Sequence, residues 1–418
     1  MKILWIINIM LPAIAQSLGE EYSPREGWLS GTFNNWNNDE NLKLSVAYPI
    51  VSKRDDMHTV VKGIDCYAFV EDLAHPENDD DALYPQLKAI MNEVSPDIVH
   101  IFGTEFPHAL AAAKSFNNPQ KTLLGIQGVC TKIADEYMAL IPKAVQRDIT
   151  FRDFIRHDSL LEQKKKFLTR AARENKLISM VKNITGRTAF DMEASMSINP
   201  DCNYYPMNET MRDGFYTTRW NIEKVKKHSI FVGQGDYPIK GLHFLLMAAG
   251  QLKLKYPDMK IYIAGNSIIN KNVIKTPAYG KYLKKLIKKY DLANNVFSTG
   301  TLNEEGMLLQ YLSSGMFLCA SYVENSPNTL AEAMLLGQPI DTSDAGGITC
   351  MIDENEGFIF ERGNVSELAR LIDNVFELED KTDTRLIQMC ERARKRALED
   401  YCPETNHKRL LEIYREII

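Results

Sequence analysis

The sequence predicts an α/β protein of two Rossmann-like domains. Short β-rich apolar runs alternate with helical patterns, and the alternation recurs as a second series after a polar break. The 418 residues suit two or three cores of ordinary size.

The first series runs ILWIIN, KLSVAY, DCYAFV, DIVHIF and TLLGIQ, with helical patterns at 84–94 and 108–116. The second runs SIFVG, KIYIAG, NVFSTG, GMFLCAS, QPIDTS and GFIF, with helical patterns at 242–255, 279–290, 304–312 and 329–336. Strands apolar on both faces, alternating with helices, predict parallel sheets covered on both sides. Ser197-Ile198-Asn199 reads as the last strand of the first series, and the next strand opens at His228. Pro200, Pro206 and Gly214 lie in the polar stretch between them. The expected domains are 1–205 and 206–403, with a final helix at 404–418 after Pro403 that packs back on the first domain.

The opening MKILWIINIMLPAIAQS admits two readings. A lysine, an apolar run and the small-x-small Ala13-Ile14-Ala15 fit a secretory leader, and the same run fits the first buried strand of a parallel sheet. Asn8 in the middle of the apolar run favours the strand. So do seven widely spaced cysteines with no C-x-x-C, which fit a reducing compartment. Residues 10–31 are then the loop at the carboxyl end of strand one, where Gly27 and Gly31 let backbone approach a ligand.

The composition is ordinary, at 44% hydrophobic and 25% charged residues, and the net charge of −6 makes no case for nucleic-acid binding. After the opening stretch no apolar run approaches the roughly 20 residues that span a bilayer.

The densest chemical signal is SYVENSPNTLAEAMLLG, 321–337. A strand ends, Ser326 caps a helix with Pro327 at its first position, and the amides of Asn325, Ser326, Asn328 and Thr329 form an anion-ready helix start. Glu324 and Glu332 flank it, and a carboxylate can accept from two vicinal hydroxyls, as a ribose or hexose offers. Glu332 read by itself is also an ordinary exposed helix residue. A second signal is FVGQGDYPIKGLHFLL, where a strand ends and Lys240-Gly241 opens a helix; a lysine there can place a charge beside a phosphate oxygen, or be an ordinary solvated lysine. A third is DAGGITCM, whose Gly346 and Gly347 permit close backbone approach.

Taken together, VGQGDYPIKG, ENSPNTLAEAMLLGQP and AGG stand in the order and approximate spacing of the donor domain of retaining GT-B glycosyltransferases of the family 4 type, which residues 229–364 resemble. The resemblance implies a GT-B fold, two Rossmann-like domains facing each other across a cleft. It implies a metal-independent hexosyltransferase that takes a nucleotide diphosphate sugar as substrate and needs no cofactor. Lys240 would neutralise the diphosphate, Glu332 would bind the ribose, Glu324 would sit by the transferred sugar, and 325–329 would hold sugar and phosphates. Two positions depart from the family pattern. Gln234 stands where the family has an arginine, and Gln127 stands where many members have a sugar-facing histidine. Arg187, near the end of the first series, is the candidate to supply the missing cation; an ordinary surface arginine is the other reading. In HIFGTEFPHA, Glu105 or His108 could orient or deprotonate an acceptor hydroxyl; a loop carboxylate and a capping histidine are the plainer readings.

Residues 143–187 carry twelve Lys and Arg against five Asp and Glu, interleaved with Phe151, Phe154, Ile155, Leu160, Leu161, Phe167 and Leu168. Such a segment can lie on an anionic membrane, or be a solvated helical excursion. The combined expectation is a cytoplasmic enzyme, peripheral at the inner face of the cell membrane, that moves a sugar to a glycan or lipid-linked glycan acceptor in bacterial surface polysaccharide synthesis. Two other readings stay open: a nucleotide-sugar epimerase or hydrolase of the same fold, and a non-catalytic glycan-binding scaffold.

Overall fold

The computed structural model describes residues 1–21, 27–36, 38 and 41–418. The chain forms two compact units. One holds 1–134, 166–210 and 401–418, and the other 135–165 and 211–400.

The first unit is built on an eight-stranded sheet. Its strands are β1 (Lys2–Ile6), β2 (Lys43–Ile50), β3 (His58–Val61), β4 (Ile64–Val70), β5 (Ile98–Phe102), β6 (Thr122–Gly125), β7 (Asn183–Gly186) and β8 (Asn203–Pro206). They are ordered β3-β4-β2-β1-β5-β6-β7-β8, and all neighbours are parallel except the β3–β4 pair. The apolar run at the start of the sequence is therefore a central strand, with Trp5 in register with Val46 on one side and His100 on the other. Its side chains are buried on both faces, which is why the run lacks alternation. Helices Leu83–Val94, Pro107–Phe116 and Leu160–Met180 contribute to a core that includes Leu4, Ile6, Phe69, Ile101, Leu124, Leu177 and Ile184.

Two sequence expectations fail in this unit. Residues 197–199 are not a strand. Thr188 and Asp191 form a reciprocal capping box that starts the helix Ala189–Ile198, so these residues are its last turn and C-cap, and β8 follows. The stretch 10–31 is not one loop. It holds the helix Pro12–Leu18, with Pro12 at its first position, and the start of the helix Gly27–Asn34, which contains Gly31. The surroundings of Gly27 lie outside the described residues.

The second unit carries a six-stranded parallel sheet. It comprises β9 (Lys226–Val232), β10 (Lys260–Ala264), β11 (Val296–Gly300), β12 (Ser314–Cys319), β13 (Ile340–Ser343) and β14 (Phe358–Phe360), ordered β11-β10-β9-β12-β13-β14. The winding reverses between β9 and β12, which opens a crevice at their carboxyl ends.

The expected boundary leaves 135–165 in the first domain, whereas the structure packs it onto the second sheet's helices. His243, on the helix Leu242–Leu252, donates through Nε2 to the Ala139 carbonyl at 2.9 Å. Asp153 Oδ2 accepts from the Ala278 amide at 2.8 Å, and Lys281 pairs with Asp148 at 2.8 Å. Burial lowers His243 to about 4, so the ring is neutral, and its Nδ1 accepts from the Tyr279 hydroxyl at 3.1 Å. Such contacts join residues far apart in sequence, and no local pattern announces them. Among the described residues, no helix is long and apolar enough to cross a membrane.

Candidate donor site and the first-unit loops

A pocket of about 180 Å³ opens where β9 and β12 diverge, lined by Gly233, Gln234, Lys240, Ser321, Glu324, Asn328 and Thr329 among others. It occupies the crevice that the reversed winding creates. Its walls come very close to one another. A Cβ on Gly233 would lie 2.7 Å from Thr329 Cγ2, and one on Gly241 would lie 1.8 Å from the Ala320 carbonyl oxygen. Gly241 also has φ +69°, so its place between Lys240 and the helix Leu242–Leu252 suits glycine on two counts.

Lys240 ends a short 3-10 turn that begins at Pro238. Its ammonium lies 2.5 Å from Glu324 Oε1, and Ser321 Oγ donates to the same oxygen at 2.8 Å. Burial by itself would depress the Lys240 ammonium; the Glu324 charge and hydrogen bond outweigh it, and the net shift is upward. Lys240 is therefore a fixed cation at the pocket. An ammonium has three hydrogens, so it can keep Glu324 while meeting an anion. The glycine pair meets the backbone of the same residue. Gly346 has φ +57° and would bring a Cβ within 1.9 Å of the Glu324 carbonyl oxygen, while Gly347 N donates to that oxygen at 3.1 Å. The close approach that the sequence assigns to a ligand is thus made, in this structure, to the Glu324 backbone.

Ser326 does not cap the following helix. The helix runs Asn328–Leu336, and Pro327 occupies the cap position without a side-chain hydrogen bond. The first-turn amides of Asn328 and Thr329 still sit at the pocket wall, where the helix dipole favours negative charge. Asn325 and Ser326 are buried beside them.

Glu332 is 5% exposed, against the reading of an ordinary surface residue. Its Oε1 pairs with Arg212, and its Oε2 lies 3.3 Å from the Tyr311 hydroxyl. Burial raises its pKa despite Arg212. Arg212 and Tyr311 were not singled out from the sequence. Arg212 stands in the stretch read as linker, and Tyr311 in a helix whose pattern says only that it is packed.

The first unit gathers Glu105, Gln127 and Arg187 on loops at the carboxyl ends of β5, β6 and β7. Glu105 is a staple, with Oε2 accepting from Thr104 N at 2.9 Å and Oε1 from Gly128 N at 2.8 Å. Gln127 Oε1 accepts from Asn8 Nδ2 at 3.0 Å, and its carbonyl accepts from Arg187 Nη2 at 3.3 Å. Arg187 is matched by buried Glu209 at 2.6 Å, so its charge is already balanced within this unit. His108 is wholly buried. Its Nδ1 and its backbone amide both meet Glu71, at 2.7 and 3.0 Å. Among the described residues, no group of three His, Cys, Asp or Glu side chains is placed to hold a metal ion.

Two Rossmann-like sheets with this order make the GT-B fold. Sucrose-phosphate synthase from Thermosynechococcus elongatus superposes with a TM-score of 0.71 over 100% of this chain and 98% of its own, at 13% identity. HepE of Anabaena in complex with UDP and glucose superposes with a TM-score of 0.67 over 100% of both chains, at 14% identity. Residues 216–397, less than half of the chain, match the family described as glycosyl transferases group 1. An uncharacterized glycosyltransferase of Haemophilus influenzae is 27% identical over 154 residues, 36% of this chain. The matched region spans 40% of that relative's length.

Proposed function

We propose that this chain is a retaining, metal-independent glycosyltransferase that moves a hexose from a nucleoside diphosphate sugar to a glycan or lipid-linked glycan. The observation that carries the reading is the pocket at the β9–β12 crevice, where a fixed Lys240 cation, the Glu324 carboxylate and a helix start converge in a GT-B fold, with Glu332 one turn further along that helix. Lys240 and the 328–329 amides face the diphosphate, Glu324 faces the sugar, and Glu332 accepts from the ribose. In the reaction the bond from the anomeric carbon to the phosphate oxygen breaks, and the acceptor oxygen bonds to that carbon. The acceptor's proton passes to the leaving phosphate. Charge grows on the departing diphosphate, and a cation and helix dipole already in position stabilise it without reorganisation. UDP-sugars are the donors to test first, because the HepE structure that shares this fold holds UDP and glucose.

The acceptor side is read from the first-unit loops around Glu105, Gln127 and Arg187. A lipid-linked acceptor at the cytoplasmic face of a membrane, in surface polysaccharide synthesis, is supported by the exposed Ile149, Phe151, Phe154 and Ile155 near exposed Lys143, Arg147 and Arg156.

The test is calorimetry with UDP, GDP, ADP and their sugar conjugates in chelator, on wild type and Glu332→Ala, followed by acceptor-dependent release of nucleoside diphosphate. Binding by wild type that weakens at least tenfold in the variant is expected. Donor turnover without acceptor would favour the epimerase or hydrolase. No binding at all would move the scaffold reading ahead, with Gln234 as its mark.

A further inference from the structure

Arg212 is a largely enclosed cation, its side chain 11% exposed, that none of the pocket's sequence motifs contains. It precedes the short helix Asp213–Thr217, and its guanidinium lies 4.8 Å from the ring centre of fully buried Phe215. Its Nη2 meets Glu332 Oε1, and its Nε is buried without a hydrogen-bond partner. The guanidinium is therefore fixed by packing and directed at one carboxylate oxygen.

The other oxygen has a different neighbour. The Tyr311 hydroxyl lies 2.8 Å from the Thr329 carbonyl and 3.3 Å from Glu332 Oε2. A phenol has one hydrogen, and a carbonyl can only accept, so the shorter contact claims it. An ionised Glu332 Oε2 then faces a phenol oxygen that donates nothing to it, and keeps its capacity to accept. Glu332 stands one helical turn after Asn328, on the same face of the helix that starts at the pocket.

We propose that Arg212 is a positioning residue for the nucleotide: it holds the Glu332 carboxylate by Oε1, so that Oε2 accepts from the vicinal hydroxyls of the donor's ribose. The inference rests on the donor-site reading given above and deepens it. It makes the ribose hydroxyls a point of selection, because a buried acceptor left without its hydroxyl costs binding. It also gives a pH signature. The groups that face Glu332 are Arg212, Tyr311 and Glu304. Burial and the Glu304 charge raise the carboxyl; Arg212 opposes them most, and the Tyr311 contact adds a smaller opposition. Removing Arg212 lets the carboxyl rise further, so the acceptor form returns only as the pH increases.

The experiment measures binding of UDP, GDP and ADP, each beside its 2′-deoxy counterpart, to the full chain as wild type, Arg212→Met, Arg212→Lys and Glu332→Gln, with melting curves as the folding control. Wild type should prefer one ribonucleotide over its 2′-deoxy form by about tenfold or more. In Arg212→Met that preference should collapse toward one while 2′-deoxy binding changes little. Arg212→Lys should restore part of it, and raising the pH should recover ribonucleotide binding to Arg212→Met. A folded Arg212→Met with undiminished preference overturns the proposal, as does one that loses both nucleotide forms equally at every pH. Failure of the donor reading looks different: wild type binds none of the three nucleotides, or Glu332→Gln keeps the full preference. Either result removes Glu332 as the ribose acceptor, and this inference with it.

Discussion

Glu174 is fully buried on the helix Leu160–Met180. It accepts from Thr104 Oγ1 at 2.5 Å and from the amides of Cys130 and Thr131 at 3.2 and 3.3 Å. Burial pushes its carboxyl up to about 6, and those hydrogen bonds together oppose the rise without cancelling it. Between pH 4.5, its ordinary value, and 6 the folded chain binds the proton that the unfolded chain has lost. Its contribution to stability is therefore present below that window and falls as pH rises through it, by about 2 kcal/mol in all. Glu174→Gln should remove this slope. Melting temperatures of variant and wild type, followed from pH 4.5 to 7, should diverge in favour of the variant; parallel curves would refute the assignment. Other residues have structural partners that their sequence motifs do not show. Glu105 reads as an acceptor-side acid and serves as a backbone staple. Arg187 reads as a spare cation and is matched by Glu209. In both cases the partner that decides the matter comes from another loop.

At the scale of elements, the helix Phe151–Arg156 is the plainest case. Thr150 and Asp153 make a reciprocal capping box, which is legible in the sequence. Asp153 also accepts from the Ala278 amide, which is not, and that contact fixes the helix against the second unit. Phe151 and Phe154 remain about two-thirds exposed, at 65% and 67%. Under the membrane reading proposed above, these exposed aromatic side chains and the neighbouring arginines would lie in the headgroup region of an anionic membrane. Phe151→Asp combined with Phe154→Asp should weaken sedimentation with phosphatidylglycerol-containing vesicles by about tenfold, with little change in melting temperature. Unchanged sedimentation would remove the membrane reading and leave the exposed face without that role. The elements of the candidate donor site were legible for a related reason. Strand, loop and helix start in 229–240 and 314–336 follow one another directly, so local chemistry is enough to locate Lys240, Glu324 and Asn328. Ser326 was misread as a cap because Pro327 reads equally well as a helix's first residue and as the residue before it.

At the scale of the whole chain, the last helix, Pro403–Ile417, returns to the first unit, where Asn406 Nδ2 donates to the Glu209 carbonyl at 2.9 Å and the Tyr414 hydroxyl makes two buried contacts. Tyr414 OH accepts from Trp5 Nε1 at 2.8 Å and meets His100 Nδ1 at 2.7 Å, all three side chains being buried. Burial lowers His100 to about 3, so its ring is neutral and Nδ1 can take the Tyr414 hydrogen. Tyr414→Phe strands a buried donor and a buried acceptor, and should cost about 2 kcal/mol or more. Hydrogen exchange in 403–417 should rise ahead of the rest of the first unit; unchanged protection would show that packing by itself holds the helix. The two α/β series, MKILWIIN as a buried strand and the grouping of Lys240, Glu324 and Asn328 at one pocket wall were legible in the sequence, because each depends on periodicity or on residues close in the chain. The central place of that strand, the joining of 135–165 to the second unit, the grip of Arg212 on Glu332 and the match of Glu209 to Arg187 came from the fold. Those pairings bury charges and polar groups that must find partners, and the partners are set by how the strands cross over, not by what lies nearby in sequence.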